Sequence, residues 1–511
     1  MEVGKKCVSI AICGLLILPW LNPFTQGPTA ALIPWLVALL AVAAAIGLTD
    51  TRQTKRFPDR GELNTVSVVS LPWLLAGLLS SFIALIQYAG ASAAFSPWIN
   101  YTEAGDAFAN LRQRNQFATL TNIALAALLW WAVQKRSLAQ QANAHGAALL
   151  MAVVLALGNA ASSSRTGLLQ LVMLIALVVL WGGWRQPVLR RLLLVFCVTY
   201  AAALWVLPWA IGLDPWSHGA WARLQAGDAV CSSRITLWRN VLHLISLRPW
   251  FGWGWGELDY AHFVTPYDGP RFCDILDNAH NLPLHLAVEL GVPVAVAVCG
   301  VLTWLVLRAR PWREGNPTRQ LAWTVLALIG LHSLLEYPLW YGPFQMAIGL
   351  CVVLLWRRGD GPVSMASRRI LRTTGILQWG CAALAVALMA ACAYAAWDYR
   401  RISQIYLPPE SRAEAYRGDT LAKIRGSWLF SDQVKFAELT ITPLTPQNAE
   451  HMHALAEEML HFSPEPRVVE KLIESAVLLH HDDEVKINLA RFRAAFPEAH
   501  DRWAETQRLP L

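Results

Sequence analysis

Long unbroken apolar runs recur over the first 400 residues of the chain. They occupy about 8–21, 29–48, 66–88, 116–133, 146–161, 166–183, 191–212, 286–307, 320–335, 338–356 and 376–397. A transmembrane helix needs roughly 20 predominantly apolar residues, so the pattern predicts eleven spans. Those at 8–21, 146–161 and 320–335 are the shortest. Two stretches depart from it. Residues 213–285 are mixed in polarity and rich in Trp, and the chain after 398 has amphipathic helical periodicity. The expected fold is all-α: a polytopic membrane domain over 1–397 with one large outside loop at about 213–285, and a helical domain over 398–511. Within that tail, Pro464 and Pro497 close similar helical stretches 33 residues apart. That spacing is near the tetratricopeptide period of 34, and a plain helical bundle is the other reading.

Composition agrees. The chain of 511 residues is 55% hydrophobic and 15% charged, against about 45–50% and about 25% for soluble domains. A cytosolic enzyme and a disordered chain are excluded. The net charge of +7 raises the question of an anionic partner, and its distribution answers it. Basic residues near span ends stay on the inside. With the N-terminus inside, the inside loops hold 20 basic residues, among them Lys5, Lys6, Arg52, Arg60, Arg190 and Arg310, and the outside loops hold eight. Residues 1–397 carry 28 basic and 17 acidic residues, net +11, and residues 398–511 carry 14 and 18, net −4. A nucleic-acid partner would need a basic face, and none is visible. The alternation puts the tail outside. The first run reads as an uncleaved span, since no small-x-small cleavage site is evident near residue 25.

The nine cysteines fall into two groups. Seven lie in or beside apolar runs and read as small buried hydrophobes. Cys231 and Cys273 both lie in the outside loop, where an oxidising compartment permits a disulfide; two free thiols are the alternative. No metal-binding spacing of His and Cys is present, and neither a metal nor another cofactor is expected.

Several polar residues sit near apolar boundaries on the outside face. Arg165 lies in SSSRTGLLQL (162–171), and Arg234 and Arg239 lie in CSSRITLWRNVL (231–242). Arginine at membrane depth is costly unless paired or facing a polar cavity. It can also snorkel to headgroups, which fits Arg239 best. Guanidinium suits bidentate phosphate recognition, so these arginines point to a diphosphate ligand. His280 lies in NAHNLPLHLAVELG (278–291) between Asn278 and Asn281, amides able to fix its tautomer. Histidine is the commonest general base; His285 and His332 are weaker candidates. RPWFGWGWGEL (248–258) alternates Gly with Trp, fitting either sugar stacking or an interfacial belt. RNQFATL (114–120) opens a span, bringing Asn115 and Gln116, and HSLLEYPLWYGPF (332–344) marks a short outside turn with Glu336, Tyr337 and Tyr341.

Taken in order, RNQFATL, SSSRTG, the S-R-x-x-x-W run at 233–238, the P-x-x-G-x-G-x-G run at 249–256, NAHN with its ELG, and LEYPLWY resemble a bacterial inner-membrane superfamily. It comprises O-antigen ligases, O-antigen polymerases and protein O-oligosaccharyltransferases. LEYPLWY and the helical tail most resemble the protein-glycosylating branch. The resemblance implies an inner-membrane glycosyltransferase with its active site, loop and tail in the periplasm. It would move a glycan from undecaprenyl diphosphate to Ser or Thr hydroxyls of a pilin or other exported protein, or to the lipid A core, without metal. It assigns the essential histidine to His280 and donor-diphosphate binding to Arg165 and Arg234, with softer roles for Gln170, Tyr337 and Tyr341. Ser163 stands where the family often has Gln. The alternatives are an O-antigen ligase, then a polymerase, then a lipid-linked-oligosaccharide transporter or a membrane scaffold. Transporters usually carry paired interrupted repeats, and none is seen.

Overall fold

A computed structural model describes residues 2–24, 27–29, 31–48, 65–134, 142–217, 219, 225, 230–356 and 374–507. The basic inside loops expected at 52–60, 135–136 and 357–372, with Arg223, lie outside the described residues. Among the described residues the structure is helical, with no strand. In chain order the α-helices are α1 (Glu2–Leu21), α2 (Leu32–Leu48), α3 (Thr65–Tyr88), α4 (Arg114–Gln134), α5 (Ala142–Ala161), α6 (Arg165–Leu180) and α7 (Pro187–Ala210). Next come α8 (Arg234–Leu247), α9 (Leu258–Val264), α10 (Leu282–Leu290), α11 (Val292–Ala309), α12 (Pro317–Ser333), α13 (Gly342–Trp356) and α14 (Thr374–Ile402). The tail adds α15 (Thr420–Ile424), α16 (Ser431–Ile441), α17 (Ala449–Phe462), α18 (Pro466–Leu478), α19 (Asp482–Ala495) and α20 (Pro497–Gln507).

The chain forms two compact units, residues 1–226 with 306–394, and residues 227–305 with 395–511. In the first, α4 is the central helix: Phe117, Leu120, Ile123, Leu125 and Leu128 are fully buried. It packs against α3, α5, α6 and α12. Small residues let the helices approach. A Cβ at Gly158 would collide with Ser81, whose hydroxyl donates to the Gly77 carbonyl at 2.8 Å. Five helical segments among the described residues are long and apolar enough to cross a membrane: Val69–Tyr88, Arg114–Val133, Pro187–Ala210, Val292–Arg313 and Ala382–Tyr406. Val296, Val301, Leu302 and Trp304 on α11 are exposed, as suits a helix whose apolar surface meets lipid rather than water.

The expected single run at 286–307 is instead two helices, because Gly291 breaks it. Gly291 has φ +89°, a conformation costly to residues with a Cβ. The 249–256 segment lies against this break. Val292 N–H donates to Pro249 O at 2.8 Å, Trp253 N–H to Val288 O at 2.9 Å and Gly254 N–H to Glu289 O at 3.0 Å. A Cβ on Gly291 would strike the Trp250 carbonyl, and one on Gly252 (φ +69°) the Glu289 carbonyl. The two glycines are the contact between two backbones.

The second unit joins the large loop to the tail. Phe263 of α9 enters a core made by Phe436, Leu439, Met452, Met459, Leu472, Phe492 and Trp503 of the tail. Tyr260 stacks on His461 with centroids 3.8 Å apart, and the His461 Nδ1 lies 2.7 Å from the Glu257 carboxylate. Cys231 and Cys273 form a disulfide with Cα atoms 5.2 Å apart. Of the other cysteines whose side chains are described, Cys351 and Cys392 are buried, and Cys13, Cys197 and Cys299 are half-buried.

Gly252→Ala and Gly291→Ala should each destabilise the second unit by about 2 kcal/mol or more, since backbone cannot yield as a side chain can. Gly256→Ala also faces a left-handed conformation, φ +80°, but meets nothing within 4 Å; it should cost only about 1 kcal/mol. Thermal unfolding of the full chain in detergent checks the order; equal losses at all three would make conformation, not contact, the cause.

Candidate functional site

The polar residues of the first unit form a connected, buried network. Asn115, Thr119 and Asn122 are spaced i, i+4, i+7, so one face of α4 is polar inside an apolar bundle. The Asn115 amide donates to Glu336 Oε1 at 3.1 Å, and Gln113 donates to Glu336 Oε2 at 3.1 Å. Glu336 is 4% exposed, and a carboxylate so buried needs charge-assisted donors. On its other side, Asn115 Oδ1 accepts the Ser164 hydroxyl at 2.6 Å. Ser164 is the N-cap of α6, accepting from Gly167 N–H at 2.9 Å. Arg165 is therefore the first residue of that helix, and it is exposed. Ser163, before the cap, has φ +51°.

Deeper in, Gln170 donates to Thr119 Oγ1 and to the Leu328 carbonyl, both at 2.9 Å. Thr119 has one hydroxyl proton, and the Asn115 carbonyl at 2.8 Å accepts it. The His332 Nδ1, 2.9 Å from the same oxygen, must then carry a proton and donate. His332 was the weaker sequence candidate, and it is fully buried here. Asn122 donates to the Gly167 carbonyl at 3.0 Å and accepts from Asn159 at 3.3 Å. The Gln116 amide is buried with neither atom hydrogen-bonded. Tyr337 and Tyr341 stack on each other, centroids 6.1 Å apart. Thus RNQFATL, SSSRTG and LEYPLWY contribute to one construction. Thr119, Asn122, Asn159 and Gln113 were not singled out from sequence, although Thr119 and Asn122 fall at i+4 and i+7 from Asn115 on α4.

The second unit holds His280, Arg234 and Arg239. Ser233 caps α8, accepting from Thr236 N–H at 3.2 Å, so Arg234 is the first residue of its helix, as Arg165 is of α6. Arg234 is half-buried and Arg239 exposed; five residues apart, they lie about 140° apart around α8. His280 has φ +50°, an uncommon state for a residue with a Cβ. Three bonds hold it. Its N–H donates to Asn278 Oδ1 at 2.9 Å, Asn281 caps α10 by accepting from Leu284 N–H at 3.1 Å, and Trp238 of α8 donates to the Ala279 carbonyl at 3.1 Å. The Asn278 and Asn281 side-chain oxygens thus accept from the backbone N–H groups of His280 and Leu284. The Asp277 carboxylate lies within electrostatic reach of His280; Asp277 was not anticipated, whereas Trp238 ends the S-R-x-x-x-W run. Trp253 donates to the Leu244 carbonyl at 3.0 Å and is covered by Arg248 at 4.1 Å, whereas Trp250 and Trp255 are exposed. His285 lies 3.4 Å from Glu289, both buried.

Residues 150–299 match the family described as O-antigen ligase, 107–132 the protein glycosylation ligase family, and 320–509 the family described as virulence factor membrane-bound polymerase, C-terminal. These matches support an O-oligosaccharyltransferase of the O-antigen ligase superfamily. Among curated relatives, a general O-oligosaccharyltransferase of Acinetobacter baylyi is 26% identical over 367 residues, 67% of this chain and 60% of that protein. A ComP-specific O-oligosaccharyltransferase of the same organism is 27% identical over 251 residues, 48% of this chain and 43% of that protein. The matched segments thus span about half the length of those relatives.

Two other buried groups in the loop oppose each other in pH. His262 accepts from Tyr267 OH at 2.8 Å and donates to the Phe272 carbonyl at 3.1 Å. Burial, then the Arg271 charge, lowers it to about 3. Burial, with the charges of Asp277 and Glu257, raises Asp259 to about 7. Between pH 4 and 6.5 the unfolded chain gains a proton at His262 that the folded one lacks, and the folded chain holds one at Asp259 that the unfolded one lacks, so the two slopes cancel. Asp259→Asn should leave the His262 term unopposed. Relative to the unmodified chain, stability should then fall by about 2 kcal/mol as pH drops from 6.5 to 5. His262→Gln should show the opposite slope, becoming less stable as pH rises toward 7. Unfolding temperatures across pH read both, and parallel curves for the two variants and the unmodified chain would refute the pairing.

Proposed function

We propose that this protein transfers a preassembled glycan from undecaprenyl diphosphate to Ser or Thr hydroxyls of periplasmic or pilin proteins. The observation that carries the reading is His280, held at φ +50° by Asn278 and by Trp238, both of them motif residues. A strained backbone fixed by surrounding motif residues is characteristic of functional positions. The O-oligosaccharyltransferase names of the two relatives support the same reaction. The acceptor hydroxyl oxygen bonds to the anomeric carbon as the bond from that carbon to the phosphate oxygen breaks. His280 accepts the hydroxyl proton, and the diphosphate leaves with the electron pair. Arg165 and Arg234 meet the charge that grows on the leaving diphosphate. Each begins a helix, where backbone N–H groups and the helix dipole also favour an anion.

Asn115, Gln116, Gln170, Glu336, Tyr337 and Tyr341 support the donor side, and Asn278, Asn281 and Arg239 the loop side. Eleven spans in the bacterial inner membrane, a cytoplasmic N-terminus and a periplasmic, tetratricopeptide-like tail belong to the same reading, as does the division into residues 1–397 and 398–511.

His280→Ala should lose transfer by about 10²-fold or more with normal expression, and full activity would remove it from the mechanism. Arg165→Lys keeps charge and loses the fork; unchanged donor use would refute bidentate phosphate binding. Reconstitution with a lipid-linked oligosaccharide and two acceptors, a pilin and a rough lipopolysaccharide, decides the branch. Glycan on the pilin is expected; glycan on the lipopolysaccharide alone would make the protein an O-antigen ligase.

A further inference from the structure

The tail brings together two imidazoles and a carboxylate that take no part in the proposed glycan transfer. His453 lies on α17, His481 immediately precedes α19, and Glu484 lies in the first turn of α19. His453 Nε2 is 3.3 Å from Glu484 Oε2, and His481 Nδ1 is 3.4 Å from the same oxygen. All three ligand atoms lie within 4.8 Å of one another. Zinc bonds to nitrogen and oxygen at about 2.0–2.2 Å, so two ligands of a tetrahedral zinc stand about 3.3 Å apart. Both contacts to Glu484 have that separation. A fourth donor, Glu457 Oε1, is 4.0 Å from His453 Nε2.

The supporting bonds prepare the same atoms. Ser475 Oγ donates to the Lys471 carbonyl at 2.7 Å and can then only accept at His453 Nδ1, 3.2 Å away. That puts the proton of a neutral His453 on Nδ1 and the Nε2 lone pair toward Glu484, itself an acceptor. Two acceptors 3.3 Å apart require a cation between them or a second proton on the ring. The other Glu484 oxygen is met by the Asn488 amide at 3.4 Å, so both His453 and Glu484 are oriented from behind, as metal ligands commonly are. A Schellman turn aims His481: its N–H donates to Ala476 O at 2.9 Å, and the preceding His480 sits at φ +61°. The acidic residues Asp482 and Asp483 beside it add negative potential.

We propose that His453, His481 and Glu484 form a zinc site that clips α17, α18 and α19 together, with Glu457 or water as the fourth ligand. The site is separate from glycan transfer. Its ligands are 28 and 31 positions apart in the sequence, which is why no metal spacing was evident there and no metal was expected.

The test uses the full chain in detergent, purified without a polyhistidine tag and stripped with chelator. Titration with Co²⁺ should give visible d–d bands saturating at one equivalent and bleached by Zn²⁺. Zn²⁺ should raise the unfolding temperature by a few degrees. His481→Ala and Glu484→Gln, at exposed and half-exposed positions, should each weaken binding by about 100-fold or more and abolish the thermal shift. His451→Ala is the control, since this exposed histidine on the same helix pairs only with Glu438 at 3.4 Å among the contacts described. No saturable Co²⁺ spectrum, or one that survives both substitutions, would overturn the site. Glycan transfer assayed on the same variants would be expected to persist either way.

Discussion

A carboxylate inside a bundle of apolar helices sets the terms for the first unit. Glu336 is 4% exposed, and leaving it without donors would cost more than most single packing contacts return. Asn115 and Gln113 supply them. Asn115 is then committed on one side to Glu336 and on the other to Ser164. Because Ser164 caps α6, the start of that helix and hence the position of Arg165 follow from the same bonds. Half-satisfied polar networks in low-dielectric surroundings are unstable, so α4, α6 and α12 cannot shift independently without breaking the bonds that link Glu336 to Asn115, and Thr119 to Gln170 and His332.

In the second unit the constraint is steric. Gly252 and Gly291 let two backbones touch, and that contact ends α10 and starts α11. The N-terminal end of α10 is the Asn281 cap, next to His280. A short helix capped at one end by a side chain and held at the other by backbone bonds leaves little play at the residue that precedes it. Trp238 adds a third attachment, from α8, so Arg234 and His280 are carried by elements directly hydrogen-bonded to each other.

Much of this was legible from the chain. Ten of the apolar runs appear as single helices near their expected limits, because runs of Leu, Val and Ala long enough to span have no competing structure. The run at 286–307 misled because an isolated glycine in an apolar stretch is usually tolerated; its need for positive φ depends on Trp250, some 40 residues earlier. On α4 the sequence offered Asn115 within RNQFATL, yet the partners of that helix's polar face, Gln170, His332 and Glu336, come from other segments. The tail's amphipathic helices were evident, whereas the seating of Phe263 in their core was not, since one phenylalanine in a Trp-rich loop carries no mark of its destination.

The same reasoning separates what each unit can change cheaply. In the first, Asn115 and Gln170 each join two other segments, so a substitution at either strands two or more partners and its cost exceeds that of the one bond removed. In the second, Asn278, Asn281, Trp238 and Asn240 all bond to backbone groups. A backbone partner is present whatever residue occupies its position. Loop residues facing a ligand can therefore vary while the path of the chain through His280 is kept, and the disulfide from Cys231 to Cys273 closes that path from outside. The rigid network and the adaptable loop are two answers to one requirement, that charged and polar groups be held in position before a ligand arrives.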